Sequence, residues 1–265
     1  TQTGDAGNTL YGEAGDDVLR GGDGDDILYG GDGNDFIRGH QGNDTAYGGD
    51  GLDTYSFEFM TEALGPGVTV DASDVGTASI VTVTDGFGGT DTLHDIERVG
   101  FYGTYGDDVF IAGAGDDHIE TNGGNDRIEG RDGNDVIYDW VGDSILDGGA
   151  GDDLIGISVT IAGGMQEGGH DTVHGGAGHD TLSFVWGFSA INSNITVVLN
   201  ADGTVALASE DNRATVTGDG IERLVITGGG GNDSMTASVG DDVLKGDRGD
   251  DALWGGDGDD ALDGG

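Results

Sequence analysis

The sequence predicts an all-β fold: a parallel β-roll (a right-handed β-solenoid) carrying two inserted strand-and-hairpin segments. Three observations predict it. A nine-residue unit rich in Gly and Asp recurs along the chain, one apolar residue holds a fixed place in each unit, and its neighbours alternate as in a short strand. Composition sets the physical problem. The 265 residues include 58 Gly, 52 Asp plus Glu, 9 Lys plus Arg and no Cys, giving a formal net charge of −43 with 34% hydrophobic residues. Such a polyanion ordinarily stays disordered, because self-repulsion opposes compaction and too little apolar surface is buried to offset it. The fixed period and a single Pro, Pro66, argue for order. A counter-ion is therefore the first thing to look for.

Charge also excludes partners. Nucleic acid and anionic lipid need basic patches, which nine scattered cations do not supply. No apolar run approaches the roughly 18 residues that span a bilayer, so membrane insertion is not expected. No signal peptide opens the chain. The lack of Cys suits an oxidising exterior as well as any other compartment.

The units follow in order. Residues 3–11 (TGDAGNTLY) are a worn copy, followed by GEAGDDVLR (12–20), GGDGDDILY (21–29), GGDGNDFIR (30–38), GHQGNDTAY (39–47) and GGDGLDTYS (48–56). The frame returns with GTYGDDVFI at 103–111 and runs through three further copies to 138. It returns again with GGGGNDSMT at 228–236 and continues to 263. Gly at positions one, two and four is expected to permit positive φ and a tight turn whose carbonyls converge. Asp at position six adds a hard anionic oxygen. An oxygen-only donor set without His or Cys suits calcium, which accepts six to eight oxygens in flexible geometry. Position eight is apolar and should point inward: Leu19, Leu28, Ile37, Phe110, Ile119, Ile128, Ile137, Leu182, Leu244, Leu253 and Leu262.

Magnitudes make the ion necessary. Ordering nine backbone units costs roughly 9–18 kcal/mol, whereas one buried Leu or Ile returns about 2–3 kcal/mol. The chain is expected to be largely unfolded without calcium and to fold on binding it.

These units resemble the RTX (repeats-in-toxin) family, whose GGxGxDxUx pattern they repeat over most of the chain. The resemblance implies that two nonapeptides make one coil, that repeat n stacks over repeat n+2, and that calcium lies between stacked turns. It implies ligation by the carbonyls of positions two and four and the Asp of one turn. Carbonyls of positions one and three and the Asp of the next turn complete the shell. Carried over, one ion lies between Gly22, Gly24, Asp26 and Gly39, Gln41, Asp44. Another lies between Gly31, Gly33, Asp35 and Gly48, Asp50, Asp53, and a third between Glu13, Gly15, Asp17 and Gly30, Asp32, Asp35. In the middle block, Thr104, Gly106, Asp108 face Thr121, Gly123, Asp126. Gly113, Gly115, Asp117 face Gly130, Asp132, Asp135, and Arg131, Gly133, Asp135 face Gly148, Ala150, Asp153. Near the end, Gly229, Gly231, Asp233 face Gly246, Arg248, Asp251, and Ser238, Gly240, Asp242 face Gly255, Asp257, Asp260. Ions are expected to be weak or absent where the pattern departs: at Asn8 with Ala6, at Ser144, and around Ala162 in 157–165 (ISVTIAGGM). That last stretch keeps nine residues, so the frame survives into 166–183.

Residues 57–102 and 184–227 break the frame and resemble each other. Asp-Thr-Tyr-Ser-Phe at 53–57 corresponds to Asp-Thr-Leu-Ser-Phe at 180–184, and Ile96-Glu97-Arg98 to Ile221-Glu222-Arg223. β-Branched runs fill both, and Asn200-Ala201-Asp202-Gly203 reads as a hairpin loop. The chain thus divides into calcium blocks at 1–56, 103–183 and 228–265, joined by metal-poor apolar β connectors at 57–102 and 184–227. These resemble the strand-rich connectors of serralysin-type RTX regions.

Other candidates resolve to structure. His170, His174 and His179 lie close in sequence, but the first and third occupy position five of adjacent repeats, on opposite sides of a roll. Paired acids such as Asp25-Asp26 and Asp241-Asp242 recur in nearly every repeat, unlike a catalytic pair. No HExxH, GxSxG or P-loop pattern occurs, so the chain reads as a non-enzyme. Trp254, at position nine, should point outward; with Trp140 and Trp186 it could stack on a sugar. The absence of end caps suggests a segment of a longer secreted polypeptide. The resemblance implies a Gram-negative bacterium and an extracellular or surface location. Three roles follow: a module that folds on calcium outside the cell, a self-associating structural layer or filament, or the accessory module of a secreted hydrolase or epimerase.

Overall fold

The structure, a computed structural model, describes residues 7–59, 67–84, 88–162, 165–167, 169–186, 193–212 and 214–265, with backbone alone at 159–162, 165–167 and 186. Pro66, Ala6 and the side chains of Ala162 and Trp186 lie outside it. The described chain is built of short strands. The first nonapeptides give β1 (Thr9–Ala14), β2 (Val18–Asp23), β3 (Ile27–Asp32), β4 (Phe36–Gln41), β5 (Thr45–Asp50) and β6 (Thr54–Glu58). Residues up to 102 give β7 (Thr69–Asp71), β8 (Ile80–Thr84), β9 (Thr90–His94) and β10 (Arg98–Tyr102). Next come β11 (Val109–Ile111), β12 (His118–Glu120), β13 (Arg127–Asp132), β14 (Val136–Asp139) and β15 (Ile145–Ala150). They are followed by β16 (Leu154–Ala162), β17 (Met165–Glu167), β18 (His170–Ala177) and β19 (Thr181–Trp186). The chain closes with β20 (Ile195–Leu199), β21 (Val205–Ser209), β22 (Thr215–Asp219), β23 (Arg223–Thr227), β24 (Ser234–Thr236), β25 (Val243–Lys245), β26 (Ala252–Trp254) and β27 (Ala261–Asp263).

Successive nonapeptides alternate between sheets. One 12-stranded sheet runs the length of the chain in the order β2-β4-β6-β10-β12-β14-β16-β19-β23-β25-β27, with β17 beside β16. Its counterpart is two sheets in succession, β1-β3-β5-β9-β8 and then β7-β11-β13-β15-β18-β22-β21-β20-β24-β26. Consensus strands pair in parallel at a register of eighteen residues: Leu10 opposite Leu28, Leu28 opposite Ala46, Ile119 opposite Ile137. Two nonapeptides therefore make one coil, and the fold is a parallel β-roll.

Position eight supplies the core. Leu28, Ile37, Phe110, Ile119, Ile128, Ile137, Leu182 and Leu244 are fully buried, while Leu253 is partly buried and Leu262, on the edge strand β27, is 48% exposed. Position nine points outward. Tyr11, Tyr29, Tyr47 and His94 stack in a ladder with ring centroids 4.9, 4.7 and 4.3 Å apart. Trp254 is exposed, as its position predicts.

One expectation is corrected. Part of the first connector is a disguised coil: β9 pairs in parallel with β5, Thr45 opposite Thr92, and His94 takes the position-nine place in the ladder. The rest packs Val70, Val81 and Val83 into the core. In the second connector, the hairpin at Asn200–Gly203 forms as predicted, with Leu199 opposite Val205 and Asn200 N–H donating to the Thr204 carbonyl at 2.9 Å. The stretch 157–165 keeps nine residues, and the frame survives beyond it with Val173 and Leu182 buried at position eight, but the stretch itself leaves the coil. β16 runs on past the consensus strand and turns back as antiparallel β17, so Leu146 pairs with Val173 and Ile155 with Leu182, a register of 27.

Candidate metal centre

The turn Gly30–Asp35 stacked on Gly48–Asp53 shows how a site is built. Gly31 (φ 121°) and Gly33 (φ 132°) adopt the left-handed conformation that the tight turn needs. Gly33 N–H donates to the Asp50 carbonyl at 2.8 Å, and Asp35 N–H donates to Asp53 Oδ1 at 2.8 Å. Gly30 is different. Its φ is not left-handed; a Cβ there would overlap Asp35 Oδ2 and the Gly48 carbonyl oxygen. Position one thus requires Gly for room and not, as the sequence suggested, for φ. The space it leaves is one where a carboxylate and a stacked carbonyl converge. At position two, Glu13, His40, Asn122, Arg131 and Asp247 take φ between 73° and 88°, a strain of about 1–2 kcal/mol each that the surrounding coil holds in place.

Sixth-position acids form two columns. In one, the N–H of each residue meets the carboxylate eighteen residues on: Asp17 to Asp35 (2.8 Å), Asp35 to Asp53 (2.8 Å), Asp117 to Asp135 (2.8 Å), Asp135 to Asp153 (2.7 Å). In the other, Asp26 meets Asp44, Asp108 meets Asp126 and Asp233 meets Asp251, each at 2.8 Å. Every predicted pair of ligating aspartates is brought together in this way, including Asp242 with Asp260 at 3.0 Å.

The second carboxylate oxygen is the telling one. Oδ2 of Asp17, Asp26, Asp35, Asp53, Asp126, Asp135, Asp153, Asp180, Asp242 and Asp251 is buried without a hydrogen-bond donor. Carboxylates about 4.8 Å apart along a column repel by on the order of 3 kcal/mol per pair at an effective dielectric of about 20. Burial, helped by neighbouring acids, pushes up the pKa of seven sixth-position acids: Asp126 and Asp135 to about 8, Asp117 and Asp171 to about 7, Asp53, Asp153 and Asp242 to about 6. An acceptor-only group in this state needs a proton or a cation.

Position five makes the contrast. It forms parallel columns of its own, exposed to solvent, in which Asn mostly separates the acids: Asp25 with Asn43, Asp107 with Asn125 with Asp143, Asp116 with Asn134 with Asp152. Like charges are spaced where only water faces them. They are stacked directly where the buried orphan oxygens lie. The recurring Asp-Asp pairs are thus two structural ladders side by side.

Three turns differ. The N–H of Thr104, Gly113 and Gly229, all at position two, donates to Oδ2 of its own Asp108, Asp117 or Asp233 at 2.8, 3.0 and 3.1 Å. In these turns the position-two amide, not the carbonyl, faces the acid. All three follow a connector. The Ser144 turn differs again. Its position one is Asp139, 1% exposed, whose Oδ1 accepts the hydroxyls of Thr121 (2.7 Å) and Ser144 (3.0 Å). The carboxylate has changed places with the small residue. Burial raises Asp139 above the usual carboxylate range.

The ligand sets named from the sequence omitted Asp171 and Asp180, which accept the N–H of Ser144 (3.0 Å) and Asp153 (2.9 Å), and missed three acids at the connectors. Asp91 Oδ1 accepts Asp44 N–H at 3.0 Å, Glu97 Oε2 accepts Asp53 N–H at 2.9 Å, and Glu222 Oε2 accepts Asp180 N–H at 2.9 Å. Each holds the sixth-position place at a connector. The Asp-Thr-Leu of 91–93, shared with 180–182, was an available signal. The histidines do not converge: His170 Nδ1 contacts Thr215 Oγ1 (2.9 Å) and His174 Nδ1 contacts Asp219 (2.7 Å). Among the described residues no three His, Cys, Asp or Glu side chains gather as a metal site; the groups available to an ion are paired carboxylates and backbone oxygens.

Comparison with known proteins identifies the repeat. A family model for the RTX calcium-binding nonapeptide repeat (4 copies) matches residues 2–37, 29–57, 102–137, 167–184, 225–244 and 236–265, more than half of the chain. No curated protein sequence matches. Among solved structures, the extracellular lipase LipA from Serratia marcescens is similar at 22% identity and a TM-score of 0.31, over 83% of this chain and 39% of that one. The chain spans about 39% of that protein's length.

Proposed function

The chain belongs to the RTX family of calcium-binding nonapeptide repeats, and from that premise we propose that it is a calcium-folded β-roll of a larger secreted bacterial protein. Repeats of this family bind calcium. The observation that carries the reading is the pair of columns of buried carboxylates, most of whose second oxygens have no donor. Bound calcium supplies divalent positive charge and accepts several oxygens at once in flexible geometry. Asp35 and Asp53, with the carbonyls of Gly31, Gly33, Gly48 and Asp50, hold one such ion. The other sets named from the sequence act in the same way, except that at Thr104, Gly113 and Gly229 the position-two amide faces the acid in place of the carbonyl, and the columns order only when the charge is matched. The roll has a structural role and no catalytic one.

Calorimetric titration with calcium, followed by far-UV circular dichroism with and without chelator, tests this. Multiple ions bound and a strand spectrum that appears with calcium are expected; a spectrum indifferent to chelator counts against the proposal. Magnesium, which demands near-octahedral geometry and keeps its waters, should not substitute.

A further inference from the structure

We infer that each connector is clamped to the roll by a calcium site of its own, in which Glu97 and Glu222 replace the sixth-position aspartate. This rests on the calcium reading above and adds two sites outside the nonapeptide pattern.

The geometry repeats that of a consensus turn. Above Gly30, a Cβ would overlap Asp35 Oδ2 and the carbonyl of Gly48, the first residue of the stacked turn. Above Gly48, it would overlap Asp53 Oδ2 and the carbonyl of Asp95. Asp95 thus stands in the position-one place. Above Gly175 the carbonyl of Gly220 takes the same place, beside the Asp180 side chain. Asp95 (φ 48°) and Gly220 (φ 67°) are both left-handed, so both connectors return through the same backbone bend.

The acids correspond as well. Asp53 N–H meets Glu97 Oε2 and Asp180 N–H meets Glu222 Oε2, both at 2.9 Å, where consensus turns bring the next Asp. The turn is shorter: Glu97 lies two positions after Asp95, whereas Asp53 lies five after Gly48. An extra methylene lets the carboxylate span the difference. Asp53 and Asp180 are both 0% exposed, and Oδ2 of each is unpartnered. At the first connector the buried, acceptor-only Asp53 Oδ2 converges with the Asp95 carbonyl beside a second carboxylate, and at the second the Asp180 side chain, its Oδ2 likewise buried and unpartnered, lies beside the Gly220 carbonyl and the Glu222 carboxylate. Calcium fits this donor set, and the site ties residues 44 and 42 positions apart in sequence.

Glu97→Gln and Glu222→Gln test the inference, because the amide oxygen can still accept the Asp53 or Asp180 N–H while the charge is lost. Equilibrium dialysis of the full chain at saturating calcium should show one ion fewer for each variant and two fewer for both together. An unchanged ion count overturns the inference. Should the chain bind no calcium at all, or Asp35→Asn leave the count unaltered, the underlying reading fails instead. Anomalous scattering from calcium-loaded crystals of the unaltered chain needs no variant. A peak bonded to Glu97 and Asp53 is expected, and its absence in an otherwise loaded roll overturns the inference.

Discussion

Asp139 Oδ1 accepts the Ser144 hydroxyl at 3.0 Å, in a nonapeptide whose consensus places Gly and Asp at those two positions. Elsewhere the sixth-position carboxylate leans into the space above the first-position Gly. Here the carboxylate enters that space from the first position, and the sixth supplies a hydroxyl. The two residues form one exchangeable unit. Asp139→Ala should destabilise the calcium-loaded roll by about 1–3 kcal/mol, since it strands the buried hydroxyls of Thr121 and Ser144. Asp139→Gly combined with Ser144→Asp should recover most of that loss. Urea unfolding in calcium reads both.

Gly30→Ala inserts a methyl where Asp35 Oδ2 and the Gly48 carbonyl converge. A loss of about 1–3 kcal/mol is expected from overpacking, together with at least one calcium site measured by dialysis. Glu13→Gly should act the other way. It relieves a left-handed non-Gly residue at φ 77°, for a gain of up to about 1 kcal/mol after the entropy of Gly is set against it.

Chelation should not melt the roll evenly. The acids Asp108, Asp117 and Asp233 already have backbone donors for Oδ2, and their turns adjoin the apolar connectors. Hydrogen exchange in chelator should retain its strongest protection near 98–120 and 223–236, with the 12–53 turns exchanging first. Uniform loss, or protection surviving best in 12–53, contradicts this.

Protons should partly substitute for calcium. In the calcium-free roll burial raises Asp126 and Asp135 to about 8 and Asp117 to about 7, from an ordinary 3.8. A raised folded-state pKa contributes stability that is fully present below the unfolded value and is lost as pH rises through the folded one. Strand content in chelator should therefore be greater at pH 5 than at pH 8, falling between about 6 and 8. In calcium the dependence reverses at the acid end, because ligands must be deprotonated to bind. Circular dichroism across pH in both conditions checks the sign.

Much of the roll is legible in the sequence because its period is its geometry. The spacing of Leu10, Leu28 and Ala46 on one wall, or Ile119 and Ile137 on the other, follows from one residue per nine pointing inward. The sixth-position acids announce themselves for the same reason. Glu97 and Glu222 do not, since a turn shortened by three residues conceals the frame and the longer side chain restores it only in space. The role of Gly30 was also hidden. Conformational freedom and room for a neighbour call for the same residue, and only the Asp35 carboxylate distinguishes them.

The β16–β17 hairpin shows how this fold keeps count of itself. A coil consumes two units, so a single extra nonapeptide would place every later strand on the wrong wall and turn its partners out of register. Here the odd unit leaves the wall as an antiparallel excursion, and the pairing resumes at 27 residues in place of eighteen. Growth or loss of such a chain is therefore quantised: pairs of repeats can enter or leave unseen, while a lone repeat must be extruded. An extruded unit is free of the calcium columns, and it is where this roll can acquire new sequence without disturbing its own arithmetic.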